Sequence, residues 1–98
     1  MKFKVGNIVI LQNLDGLDAF YTKREFEHLP KYIGSGFRIS FFSHTFDSLN
    51  NWFAAEDRIK GKLGKGTYYE RFWFIDKNVR LATKVECDIY WLKELRES

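Results

Sequence analysis

The chain has little of three things that often constrain a small protein: cysteine, proline and long apolar runs. Cys87 is its single cysteine, which excludes an internal disulfide and a cysteine-based zinc site within one chain. Residues 1–6 form no continuous apolar segment, so no signal peptide is predicted. No run approaches the roughly 18 apolar residues of a membrane-spanning helix. A lone thiol favours a reducing, cytoplasmic location.

Aromatic residues, by contrast, are abundant. The 98 residues include ten Phe, five Tyr and three Trp, and 45% of the chain is hydrophobic. This length predicts a single domain, residues 1–98, with one core that needs no metal or disulfide. The rings exceed what so small a core usually holds, so we expect some at the surface, where aromatic residues mark contact sites.

The net charge of +3 is mild but unevenly distributed. Residues 58–84 hold eight basic and two acidic residues, a net of +6, which leaves −3 for the rest of the chain. Such asymmetry within one domain predicts an oriented electrostatic surface.

The first two thirds of the chain predict strands with one well-marked helix. Residues 3–11 and 37–42 are typical of strands. Thr22 and Glu25 fit a capping box, which predicts a helix over 22–29 ended by Pro30. Residues 44–57 favour a helix over an extended loop because four apolar residues recur at helical spacing: Phe46, Leu49, Trp52 and Phe53.

The last third predicts a hairpin followed by a helix. Residues 67–75 are the most β-prone run, 76–78 resemble a tight turn, and 79–87 alternate apolar and polar residues. We therefore expect strands 67–75 and 79–87 to pair. Residues 88–96 predict a short helix with Ile89, Leu92 and Leu95 turned inward and Trp91 partly outward.

Residues 3–11 (FKVGNIVIL) resemble the first strand of small SH3-like barrels of the KOW type, and residues 32–39 (YIGSGFRI) resemble the glycine turn and second strand of that fold. Proteins of this kind are frequent among bacteriophage accessory proteins. The resemblance covers about 20 residues; segment 44–66 departs from a minimal barrel. The resemblance implies a binding module that contacts protein or nucleic acid. The predicted fold is α+β, a small bent antiparallel sheet, SH3-like on this resemblance, with two or three short helices.

The glycine-rich run at 61–66 matches no phosphate-binding fingerprint. The P-loop and dinucleotide patterns each lack a required glycine. Residues 61–64 formally match the G-x-x-G loop of KH domains, but a predicted strand follows where that loop needs a helix. The alternative is that residues 61–66 belong to a solvated basic loop beside a core strand and have no binding role.

The sequence is compatible with two different contact surfaces. One is a protein-binding face on strand 67–75, because Trp, Tyr and Arg are typical interface anchors. This face holds either Tyr69, Arg71 and Trp73 or Tyr68, Phe72 and Phe74; the alternative is that helices cover both faces of the strand. Its predicted residues are Tyr69, Arg71, Trp73, Arg80 and Trp91. The other is a phosphate-neutralising nucleic-acid surface, whose predicted residues are Arg58, Lys60, Lys62, Lys65 and Lys84.

Neither metal nor catalytic chemistry is predicted. His28 and His44 lack a ligand-like partner at a known spacing, and no triad order or nucleophile elbow occurs. Cys87 is expected to be a buried structural thiol. We therefore expect a non-enzymatic, cofactor-free binding protein. Its expected role is that of a phage or mobile-element accessory protein that docks on a host protein or nucleoprotein complex, for example an inhibitor of a CRISPR effector. Direct nucleic-acid binding is the alternative.

Overall fold

The structure, a computed structural model, describes residues 3–43, 52–60 and 67–97. These residues form an α+β fold with a five-stranded antiparallel sheet and two α-helices. The strands are β1 Ile8–Leu11, β2 Gly36–Ser43, β3 Trp52–Lys60, β4 Thr67–Ile75 and β5 Val79–Leu81. The helices are α1 Lys23–His28 and α2 Lys84–Glu97, with 3-10 turns at Leu17–Ala19, Leu29–Tyr32 and Asp76–Asn78.

The strand order is β4-β3-β2-β1-β5. The longest ladder joins β3 to β4, from Trp52 opposite Ile75 to Lys60 opposite Thr67. Within the described ranges no ladder joins β4 to β5, so the sheet is open. A register shift between Ile39 and Phe41 interrupts the β2–β3 ladder, and shifts of this kind bend a strand.

One face of the sheet is the hydrophobic core. It is built from alternate residues of the strands, such as Val9, Phe37 and Phe74, each with no exposed surface. The segment between β1 and β2 covers this face with Leu17 and Leu29. Fully burying an aliphatic or Phe side chain contributes about 1.5–3 kcal/mol, so this layer supplies most of the driving force for folding.

The helix predicted from the capping box is confirmed. The Glu25 amide donates to Thr22 Oγ1 at 3.2 Å, and the Thr22 amide donates to Glu25 Oε1 at 2.9 Å. These hydrogen bonds lower the pKa of the Glu25 carboxyl. A helix at 88–96 is also confirmed, although α2 is longer.

The predicted hairpin is wrong. Strand β4 pairs with β3, whereas β5 pairs with β1 on the opposite side of the sheet. The 3-10 turn Asp76–Asn78 redirects the chain between them. Only three residues of the predicted strand 79–87 are extended, because α2 begins at Lys84.

The helix predicted over 44–57 is wrong for residues 52–57, which belong to β3. There the buried residues Trp52 and Phe53 belong to a strand of the sheet rather than to a helix. Phe46 and Leu49 lie outside the described residues. The first strand is shorter than predicted, since a turn with Gly6 at φ 92° precedes Ile8.

Asn78 is a fully buried polar residue that joins β4 to the loop after β1. Its Oδ1 accepts from the Ile75 amide at 3.0 Å. Its Nδ2 donates to Asn13 Oδ1 at 3.0 Å and to the Asp15 carbonyl at 2.9 Å. The turn that separates β4 from β5 is thus fixed by side-chain hydrogen bonds.

Candidate interaction surface

The two faces of β4 have different roles. Phe72 and Phe74 lie in the core, whereas Trp73 is half-buried and belongs to the other face. Because residues two apart share a face of a strand, positions 69 and 71 lie on the same side as Trp73. The predicted protein contact therefore involves the side of β4 that carries Trp73; Ile75, two residues further on, is buried on this same side.

Trp73 is held in place by residues from two other segments. Its ring lies 5.8 Å from the Phe20 ring and 5.3 Å from the Phe41 ring, between centroids, the latter edge-to-face. The Tyr21 hydroxyl accepts from the Trp73 amide at 2.8 Å and donates to the Trp73 carbonyl at 3.0 Å. Trp73 is thus a positioned, partly covered ring rather than a free anchor.

Two cross-strand rows continue this face toward α2. Phe41, Ala54 and Trp73 are register partners, and so are Arg38, Glu56 and Arg71. The rows share one face, because Ala54 and Glu56 are two residues apart on β3. Beyond them the Arg38 guanidinium carbon lies 6.0 Å from the centroid of the Trp91 ring.

We call this surface the ring-and-arginine strip and define it by Arg38, Phe41, Trp73 and Trp91. Trp91 is the most exposed ring of the strip, with 46% of the residue's surface exposed. Its edge-to-face contact with Tyr90, at 5.3 Å between centroids, fixes its orientation. A cation within about 6 Å of a Trp face is an attractive arrangement, so Arg38 and Trp91 form one unit.

Helix α2 packs on the sheet through Tyr90, which is buried. A Cβ atom at Gly36 would lie 3.4 Å from the Tyr90 ring and 3.6 Å from the Ile10 side chain, so glycine gives the helix room to approach. The predicted inward residues Ile89, Leu92 and Leu95 are instead exposed. That prediction is wrong because the helix has a different rotation about its axis from the one assumed.

Arg80, predicted as a contact residue, joins β5 to the start of α2. Its two terminal nitrogens donate to the two carboxylate oxygens of Glu86 at 2.7 and 2.8 Å. Glu86 Oε1 also accepts from the Thr83 amide at 2.9 Å, and the Glu86 amide donates back to Thr83 Oγ1. Arg80 therefore positions the helix that carries Trp91.

The Arg80 pair lowers the pKa of the Glu86 carboxyl from 4.5 to about 2, with the Thr83 amide as the next cause. The same pair raises the pKa of Arg80. Because the folded-state pKa of Glu86 is depressed, its stabilising contribution is complete above about pH 4.5 and is lost as the pH falls toward about 2.

We expect Glu86→Gln to lower the thermal midpoint at pH 6 and to reduce its dependence on pH between about 4.5 and 2. Circular dichroism melts over this range measure both effects. Glu94→Gln, on the same helix, is the matched control and should keep the acid dependence of the wild type. An unchanged pH profile for Glu86→Gln would contradict the assignment.

The described residues of the predicted basic region lie on two separate elements. Arg58 and Lys60 belong to β3, whereas Lys84 is the first residue of α2, directly after β5. Three strand spacings, about 14 Å, separate β3 from β5. Lys62 and Lys65 lie outside the described residues.

Sequence reasoning missed Arg38, Phe41 and the link through Glu86. A signal for the last was present, since Thr83 and Glu86 repeat the T-x-x-E spacing of Thr22 and Glu25. Arg38 became recognisable only through its register partners on β3 and β4. In the part of the chain that is described, no three His, Cys, Asp or Glu residues cluster as metal ligands; His44 lies outside it.

No helix in the described ranges is long and apolar enough to cross a membrane. Comparisons with protein-family models, with curated proteins and with solved structures found no match to this chain. The interpretation of the surface therefore depends on its own geometry.

Proposed function

We propose that this chain is a non-enzymatic binding protein that docks on a host protein or nucleoprotein complex through the ring-and-arginine strip. The observation that carries the proposal is Trp91, an exposed ring held between Tyr90 and the Arg38 guanidinium. An oriented Trp loses little conformational freedom on binding, and Trp and Arg dominate the energetics of many interfaces.

The strip suits a partner that offers an apolar pocket beside a carboxylate. Trp91 would fill the pocket, and Arg38 would pair with the acid in the fork geometry that guanidinium favours. Trp73 and Phe41 extend the apolar contact along the sheet.

We further propose that the sheet is related to SH3-like barrels and that the chain is a phage or mobile-element accessory protein. The strand order β4-β3-β2-β1-β5, the register shift in β2 and the 3-10 turn before β5 support the fold relation. Inhibition of a host defence complex such as a CRISPR effector is one concrete form of this function, by analogy with small accessory proteins.

We expect Trp91→Ala and Arg38→Ala each to weaken capture of a specific host protein by at least about tenfold, as for interface anchors. The measurement is affinity purification from nuclease-treated host lysate with quantitative detection of the captured protein. Ile33→Ala, another exposed apolar residue away from the strip, is the matched control and should capture normally.

Equal capture by all three variants, with folds intact, would reject the strip as the docking surface. Nucleic-acid binding gives a different outcome: capture lost on nuclease treatment, and a complex in a low-salt mobility-shift assay that weakens steeply with salt. Arg58→Glu with Lys60→Glu should then abolish the complex, whereas Trp91→Ala should not.

A further inference from the structure

Helix α2 carries its apolar residues on the side turned away from the sheet. Four of them follow one another along the outside of the helix, and we call them the outer stripe: Val85, Ile89, Leu92 and Leu95. Each has more than half of its surface exposed. The groove between the helix and the sheet is lined by the charged residues Glu86, Lys93 and Glu94 as well as by Tyr90, and Ile89 also borders it. A helix of a lone domain normally shows the reverse arrangement.

The exposed apolar residues are also concentrated in one region. Eight large hydrophobic residues are exposed in the described chain, and six of them lie between Leu81 and Leu95. Val5 and Ile33 are the other two. Single exposed apolar residues need no explanation, but a concentration of this kind within one short segment marks an interface.

We propose that the outer stripe is the interface of a homodimer in which two copies of α2 pack antiparallel. The stripe extends from Val85 to Leu95, about 15 Å along the helix axis. Antiparallel packing places Ile89 of each copy against Leu92 of the other near the twofold axis. The apolar centre of the stripe is then covered in both copies by the same contact, as a closed twofold interface requires.

The available area fits such a dimer. Burying the four residues of the outer stripe removes on the order of 400 Å² per copy, taking about 100 Å² of apolar surface for each large side chain. A stable interface needs about 800 Å² per partner. A rim of polar residues along α2 can supply the remainder, so we expect a weak to moderate dimer.

Charge at the helix ends favours the antiparallel arrangement over the parallel one. Lys84 stands at the N-terminus of its own helix, where the helix dipole disfavours a cation. In the antiparallel pair it lies near the C-terminus of the other copy's helix, where a cation is favoured. The two helix dipoles also oppose each other.

The test is sedimentation equilibrium of the purified full chain from about 5 to 500 μM, a range chosen for a weak to moderate dimer. We expect the mass to rise from one chain toward two. Leu92→Glu should raise the dissociation constant by at least about 30-fold, and the milder Leu92→Ala should raise it less. Val5→Glu, at a residue equally exposed but distant in sequence, should dimerise like the wild type.

Orientation is tested by spin labels at Lys84→Cys in a Cys87→Ser background. Antiparallel packing places the two labelled positions about 20 Å apart along the helix axes, whereas parallel packing leaves them side by side. If the measured mass stays that of one chain at every concentration, the homodimer is excluded. The outer stripe would then be a contact surface for a protein of another sequence. Wild-type dimerisation of Leu92→Glu, or adjacent labels, also overturns the proposal.

Discussion

Asn78→Ala is expected to lower the free energy of unfolding by about 3 kcal/mol, because it leaves buried polar groups without partners. The wild-type side chain accepts from the Ile75 amide and donates to two acceptors in the loop after β1, while being fully buried itself. Alanine removes all three hydrogen bonds. Denaturation by urea, followed by tryptophan fluorescence, measures the loss.

The control for this change is Asn13→Ala. Asn13 is more exposed, and its side chain bonds Asn78 Nδ2, the Asp15 amide and the Lys77 carbonyl. Water can replace the two exposed bonds, to Asp15 and Lys77, so a loss of about 1 kcal/mol, smaller than for Asn78→Ala, is expected. If Asn78→Ala cost no more than Asn13→Ala, the buried hydrogen bonds would not be what fixes the turn at Asp76–Asn78.

Phe37→Ala is expected to lower the free energy of unfolding by about 4 kcal/mol, as deletion of a buried ring usually does. Phe37 has no exposed surface, and its ring centroid lies 5.1 Å from that of Phe72 and 5.2 Å from that of Phe74. Removing the ring leaves a cavity in the middle of the core. Chemical denaturation again provides the measurement.

Trp91→Ala is the matched ring deletion at the surface and should cost less than about 1 kcal/mol, since nearly half of Trp91 is exposed. The comparison separates the aromatic residues that hold the fold from those that are available to a partner. A loss of 3 kcal/mol or more on Trp91→Ala would place this ring among the core residues and remove it from the proposed docking surface.

Local signals predicted the elements that depend on neighbouring residues. The helix α1 follows from Thr22 and Glu25, whose hydrogen bonds lie within one turn. The strand around Phe37 and Ile39 follows from alternation and a preceding glycine turn. The surplus of rings predicted that some aromatic residues are exposed, and Trp91 is one of them.

The pairing of the strands and the orientation of α2 could not be predicted from local signals, because they are decided by contacts between residues far apart in sequence. Strand β4 lies beside β3 rather than β5, and the turn between β4 and β5 depends on Asn13 and Asp15, more than 60 residues away. The rotation of α2 is set by Tyr90 against Gly36, not by its most apolar side. The spacing of Ile89 and Leu92 favours their burial, and it therefore predicted the wrong side of α2 as the one that faces the sheet.

The hydroxyl of Tyr21 has a consequence for how the chain behaves in solution. Among the strands of the described chain β4 is an edge strand, and outward amides and carbonyls of an edge strand can template the addition of further strands. At Trp73 both outward groups are already satisfied by this one oxygen atom, and at Ile75 the outward amide is satisfied by Asn78. These hydrogen bonds protect the C-terminal end of an aromatic-rich strand, from Trp73 to Ile75, against fibre-like stacking.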